Sequence, residues 1–180
     1  MERTIIITSY MDDPLDLQTF LQPEDFIICL DGGYDIALQN HVTPHLLLGD
    51  FDSIQAALPH DIEICRFPAE KDDTDLGLAL ELAVRRKKKH VEILGGIGGR
   101  LDHTIANMQL LSHYSGSFDV LRMRDGRNKC FVISGHPHRT HRIPKEKNSQ
   151  QPQMQTTELQ IAKRQFTICN KQHTENQVGR

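Results

Sequence analysis

Six aspartates in this chain fall where carboxylates can act together. Asp31 opens Asp31-Gly32-Gly33, Asp50 and Asp52 lie in Gly49-Asp50-Phe51-Asp52-Ser53, and Asp72, Asp73 and Asp75 lie in Lys71-Asp72-Asp73-Thr74-Asp75. A glycine-rich stretch, Gly95-Gly96-Ile97-Gly98-Gly99, leads into Arg100 and Asp102. Crowded carboxylates repel one another unless a cation lies between them. Mg²⁺ takes oxygen ligands, usually one or two carboxylates plus substrate phosphates. Asp50 and Asp52 are two residues apart, so in an extended segment both side chains face the same way and can share one ion. Glycines let backbone N–H groups approach a phosphate, and a following helix N-terminus adds positive potential. Gly96, Gly98 and Gly99 are the candidates for this. Lys71 and Arg100 can hold phosphate oxygens by charge. Together these parts describe Mg²⁺-assisted transfer of a phosphorus-containing group from a nucleotide.

Such clusters need a scaffold that brings them to one edge. Apolar runs over Thr4–Ser9, Phe26–Leu30, His45–Leu48, Ile62–Phe67 and Val91–Leu94 read as strands. Helical patterns follow Asp13-Pro14, cover Tyr34–Asn40, run from about Thr74 to Lys88, and start again near Leu101. The long helix carries Leu76, Leu80, Ala83 and Val84 on one face, with Thr74 or Asp73 as N-cap and Arg85–Lys89 as a solvated basic end. The last helix is expected to bury Leu101, Ile105, Met108 and Leu111. Phe118–Met123 and Lys129–Ser134 read as closing strands around Asp125-Gly126-Arg127-Asn128. Strands alternating with helices predict an α/β fold, a mostly parallel Rossmann-like sheet with helices on both faces. In such sheets ligands bind beyond the carboxyl ends of the strands, where these clusters fall.

The chain has 180 residues and a formal net charge of −3, with an internal break. Residues 136–180 carry eight Lys or Arg against three Asp or Glu, while residues 1–135 carry 13 against 21. The tail also holds eight glutamines and only nine hydrophobic residues in 45. The expected organisation is an α/β domain over 1–134 and a polar, Gln-rich tail over 135–180 whose composition does not support a core of its own. No apolar run approaches the roughly 20 residues of a membrane span, and the N-terminus has no signal-peptide layout. The four cysteines form no C-x-x-C pair, and three lie in apolar runs as small buried thiols, so a reducing cytoplasm is expected. The acidic front argues against nucleic acid. His136-Pro137-His138-Arg139-Thr140-His141 lacks matching acidic or cysteine ligands and reads as a metal-free linker.

Individually the motifs are weaker. Gly95–Gly99 is not a P-loop, since no Gly-Lys-Ser/Thr follows, and its spacing is not that of the dinucleotide fingerprint. Asp50-Phe51-Asp52-Ser53 superficially resembles the nucleophile loop of haloacid-dehalogenase-type phosphatases, but here it follows a third strand rather than a first.

Taken in order, Asp31-Gly32-Gly33, Leu48–Ser53, Lys71–Asp75 and Gly95–His103 with Asn107 beyond resemble thiamine pyrophosphokinase, over about residues 4–134. The resemblance implies transfer of the pyrophosphoryl group of ATP to the hydroxyl of thiamine, giving thiamine diphosphate and AMP. It implies Mg²⁺ on Asp50, Asp52 and Asp75 with Asp31 close by, nucleotide contacts from Lys71 and Thr74, and Arg100 with Asp102 as a nucleotide-site pair. Asp31, Asp52, Asp75 and Arg100 are then the catalytic candidates. Which carboxylate orients the hydroxyl or accepts its proton stays open. His103 reads as a helix-surface residue, with a proton shuttle as the alternative. The family's second, all-β domain supplies much of the thiamine pocket across a dimer interface. Its marks are missing after Gly135, where only Phe166–Asn170 is faintly similar. The expectation is a short atypical tail in place of that domain, from truncation, splicing or a frame-shift near 136–150, and a homodimer if the region folds. Two alternatives accompany the transferase: a remnant that binds nucleotide and Mg²⁺ without turnover, and a phosphohydrolase with Asp50 as nucleophile.

Overall fold

Three isoleucines in a row, Ile5-Ile6-Ile7, lie at the centre of the molecule, each with no exposed surface. A strand with no polar face must be covered on both sides, and this is the signature of a parallel sheet between helices. The computed structural model describes residues 2–52, 54–67 and 74–132, with the backbone alone of 133, 154–161 and 164–171. The strands are β1 (Arg3–Ile7), β2 (Phe26–Leu30), β3 (Leu46–Gly49), β4 (Glu63–Arg66), β5 (His90–Leu94), β6 (Val120–Arg124), β7 (Asn128–Ile133), β8 (Met154–Ile161) and β9 (Arg164–Lys171). The helices are α1 (Leu17–Phe20), α2 (Gly33–Gln39), α3 (Asp75–Arg85) and α4 (Leu101–Tyr114).

The strands form one sheet in the order β4-β3-β2-β1-β5-β6-β7-β9-β8. The six from β4 to β6 are parallel, and β7, β9 and β8 continue the sheet antiparallel. Side chains alternate between two cores. Ile5, Ile7, Cys29 and Leu47 pack with Leu17 of α1 and Tyr34 and Ala37 of α2. Ile6, Ile28, Leu48 and Ile93 pack with Leu76 and Leu80 of α3 and Met108 and Leu111 of α4. Each fully buried Ile or Leu contributes about 1.5–3 kcal/mol relative to exposure. Helices therefore cover both faces, as expected. Gly33 lets α2 approach β1 closely, because a Cβ there would stand 2.2 Å from the Ile7 carbonyl oxygen.

Three expectations need adjustment. Leu101 and Ile105 are not core: they are 72% and 40% exposed, because the first turns of α4 stand at the sheet's carboxyl edge and burial begins at Met108. Val84 of α3 is likewise exposed, and Ala79 takes its place in the core. The Gln-rich tail contributes two strands, β8 and β9, paired with each other and with β7 through the backbone. The histidine-rich segment 136–141 lies outside the described residues.

Register aligns the site. Ile7 is level with Cys29 of β2 and with Leu94 of β5, and Leu30 is level with Leu48 of β3. The turns after β1, β2, β3 and β5 therefore leave one edge together. The chain fills the sheet from β1 to β4 on one side, then returns to place β5 on the other side of β1. This change of direction opens a crevice at the carboxyl ends.

Candidate active site

Asp31 follows the last residue of β2 in a left-handed conformation, φ 42°, which Asp tolerates better than most side chains. Its Oδ1 accepts the Phe51 backbone N–H at 3.2 Å, and its carboxyl is hydrogen-bonded to that of Asp75. Burial, that hydrogen bond and the nearby charges of Asp75 and Asp50 push Asp31 up to about 7, against the lowering effect of the Phe51 N–H.

The Asp50–Asp52 segment is not extended as the period-two spacing suggested. Phe51 is left-handed at φ 66°. Its ring packs against the α1/α2 core, lies under the Arg66 guanidinium at 5.4 Å, and its N–H is committed to Asp31. The two carboxyl groups nevertheless meet, through a tight turn in which the Asp52 N–H donates to Asp50 Oδ1 at 3.2 Å. A hydrogen bond to the Asp50 carboxylate and its charge raise Asp52 above the usual range.

Asp75, of the third cluster, is the first residue of α3 and comes to the same place as Asp31. Thr74 caps the helix, with its Oγ1 accepting the Gly77 N–H at 3.1 Å. Asp50 and Asp75 thus lie close enough to Asp31 and to Asp52 for their charges to act on both. Lys71, Asp72 and Asp73 lie outside the described residues. Two carboxyl groups brought side by side are oxygens that a divalent cation can bridge. Among the described residues no group of three or more His, Cys, Asp or Glu side chains is arranged to hold a metal ion by itself. The donor set still suits Mg²⁺, which binds through few carboxylates and completes its shell with water and phosphate.

The glycine loop lies across the crevice from the acids. Gly95, Gly96, Gly98 and Gly99 all have positive φ, between 62° and 88°. Its N–H groups are mostly used inside the protein: Gly95 donates to Arg124 O at 2.7 Å, Gly96 to Tyr10 O at 3.0 Å and Gly98 to Thr104 Oγ1 at 3.1 Å. Asn107 Nδ2 ties the loop from behind by donating to Gly96 O at 2.9 Å. The loop is braced, and the positive end of α4 follows it, with Arg100 as an N-cap that makes no side-chain cap. Arg100 forks onto Asp102, Nε to Oδ1 at 3.1 Å and a terminal nitrogen to Oδ2 at 2.5 Å. The hydrogen bond to Arg100 holds Asp102 down at about 2. Both side chains stand in solvent, as does His103.

Tyr10 and Asp12, which no sequence motif singles out, fold from the end of β1 onto this loop. Their signal was position alone: they follow the central strand at the edge where ligands bind.

The family model for the thiamin pyrophosphokinase catalytic domain matches residues 17–121. The thiamine pyrophosphokinase of Bacillus subtilis (strain 168) is 35% identical over 114 residues, which are 61% of this chain and 52% of that protein. The thiamin pyrophosphokinase 1 of Caenorhabditis elegans is 29% identical over 97 residues, 50% of this chain and 40% of that one. The crystal structure of a thiamin pyrophosphokinase from Geobacillus thermodenitrificans superposes with a TM-score of 0.61 at 25% identity, covering 89% of this chain and 68% of that one. The chain spans about half the length of the curated relatives it matches.

Proposed function

This chain belongs to the thiamin pyrophosphokinase family, and on that premise we propose that it transfers the pyrophosphoryl group of ATP to the hydroxyl of thiamine, releasing AMP. The observation that carries the reading is the meeting of Asp31 and Asp75, from separate elements, beside the Asp50–Asp52 turn.

In this reading Asp50, Asp52 and Asp75 would hold Mg²⁺, which would supply charge to offset what develops on the transferring phosphates. Asp31 supports Asp75, and one of these carboxylates is assigned to orient the thiamine hydroxyl. Arg100 and the N-terminus of α4 bind the triphosphate, with Asp102 keeping the guanidinium in place. Gly98 and Gly99 shape the turn that delivers them, and Gly96 anchors it to the β1 loop. Thr74 and Lys71 are assigned to the nucleotide, Thr74 while also capping α3. The braced loop favours anion contacts at the helix start over contacts from the glycine N–H groups themselves.

We also assign a cytoplasmic location, supported by Cys29 and Cys65, which form no disulfide among the described residues. The tail over 135–180 is assigned as an atypical replacement for the family's β domain, and a homodimer is assigned on the family resemblance.

The test is incubation of the purified chain with ATP, Mg²⁺ and thiamine. AMP and thiamine diphosphate in equal amounts support the reading. ATP binding without turnover means an inactive remnant, and thiamine-independent phosphate release means a hydrolase.

A further inference from the structure

The segment between β1 and α1 has no part in the assignments above, yet it holds the glycine loop at several points. The Tyr10 carbonyl accepts the Gly96 N–H at 3.0 Å and the Thr8 hydroxyl at 3.0 Å. The same Thr8 hydroxyl lies 3.1 Å from Leu94 O, joining the ends of β1 and β5. Three loop positions have no room for a side chain because this segment occupies the space. A Cβ at position 95 would stand 2.2 Å from the Tyr10 carbonyl oxygen, one at 98 would stand 2.9 Å from Asp12 Cβ, and one at 99 would stand 2.8 Å from Tyr10 Cε1. The Tyr10 hydroxyl donates to Asp12 Oδ1 at 2.8 Å, so the ring is tethered at its far end.

Tyr10 is 45% exposed, which is little burial for so large a side chain. Its hydrophobic contribution to the fold is correspondingly small. Its ring stands against Gly99, the residue before Arg100, where a Cβ would also lie 2.9 Å from Tyr10 Cζ. Gly99 adopts φ 62°, and this turn decides the direction in which Arg100 and the first N–H groups of α4 leave the loop.

We propose that Tyr10 is a positioning residue for the nucleotide end of the site. Its ring braces the Gly99 turn and thereby aims Arg100 and the start of α4 at the phosphates of a nucleoside triphosphate. The ring does the bracing, and the hydroxyl holds the ring in register with Asp12. The proposal rests on the nucleotide site assigned above. It places no chemistry on Tyr10, so the effect falls on nucleotide affinity rather than on the transfer step.

The test compares wild type, Tyr10→Ala, Tyr10→Phe, Gly99→Ala and the Tyr10→Ala/Gly99→Ala double variant. Steady-state kinetics and calorimetric titration with MgATP in the absence of thiamine are both measured. Tyr10→Ala is expected to raise the KM and Kd for ATP about tenfold, with kcat within about twofold and the thiamine KM unchanged. Tyr10→Phe keeps the ring and restores most of the affinity. Gly99→Ala weakens ATP to a similar degree, and the double variant is no weaker than either single one, since both disturb the same contact. A Tyr10→Ala variant with a lowered melting temperature but unchanged ATP affinity overturns the proposal, as does a change confined to thiamine. If wild type binds MgATP without turnover, the transferase reading fails while the calorimetry still decides this one. A wild type that binds no ATP overturns both.

Discussion

The carboxylate of Asp31 fills the space that any side chain at position 49 would need: a Cβ on Gly49 would stand 1.8 Å from Asp31 Oδ1. Gly49 also has φ 150°, a conformation that side chains rarely adopt. The last residue of β3 and the first beyond β2 are thus fitted to each other, and the fit places Asp31 against the Asp50 turn. Gly49→Ala is expected to displace the carboxylate, cost about 1–3 kcal/mol of stability, and abolish Mg²⁺-dependent turnover. Urea unfolding and AMP release measure the two effects. A variant of native stability and activity would show that the pairing is incidental.

Asp52 stands in solvent and serves no core contact. Asp52→Asn is expected to leave the melting temperature unchanged while reducing turnover on the order of 100-fold. Normal turnover at limiting Mg²⁺ would remove Asp52 from the metal assignment.

Thr74 has two assigned tasks, and they separate by substitution. Thr74→Ala loses the hydroxyl that accepts the Gly77 N–H, with an expected loss of about 1 kcal/mol. Thr74→Ser keeps the cap and the stability. If both variants raise the KM for ATP equally, the methyl group rather than the hydroxyl matters to the nucleotide.

Glu92 supplies the pH dependence. It is buried on β5, 3.0 Å from Arg122 and 3.2 Å from His90. Burial alone would raise its pKa, but the His90 hydrogen bond and the charges of Arg122 and Arg124 bring the net effect below the ordinary value. A carboxylate with a lower pKa folded than unfolded adds stability that is present above its unfolded pKa of roughly 4.3. That stability is lost as the pH falls through the folded value. Glu92→Gln is expected to cost roughly 1–3 kcal/mol at pH 7 and to flatten the loss of stability in acid. Guanidinium titrations at neutral pH and at pH 3.5 test this. An equally steep acid loss in the variant would assign it to other groups.

The parts of the molecule legible in its sequence are those set by local pattern. Ile5-Ile6-Ile7 could be read as a strand buried on both faces because no polar residue interrupts it. Asp31, Asp50, Asp52 and Asp75 could be grouped because each follows a strand or starts a helix at the same edge. The left-handed Phe51 was hidden, since its conformation depends on a core contact and a hydrogen bond to Asp31, twenty residues away. The role of Tyr10 was hidden for the same reason: its partner Gly99 is distant in the chain and has no side chain to advertise the contact. Strands β8 and β9 pair through main-chain groups, which a glutamine-rich composition neither announces nor prevents.

The strand order also acts as a ruler. Asp31 stands just beyond β2 and the glycine loop just beyond β5, with only β1 between them. Neighbouring strands are spaced at about 4.8 Å, so the two ends of the site stand roughly 10 Å apart. That interval is written into the pairing ladder rather than into any loop. Loop substitutions can change what is gripped at either end, but altering the reach between the ends would require rebuilding the sheet.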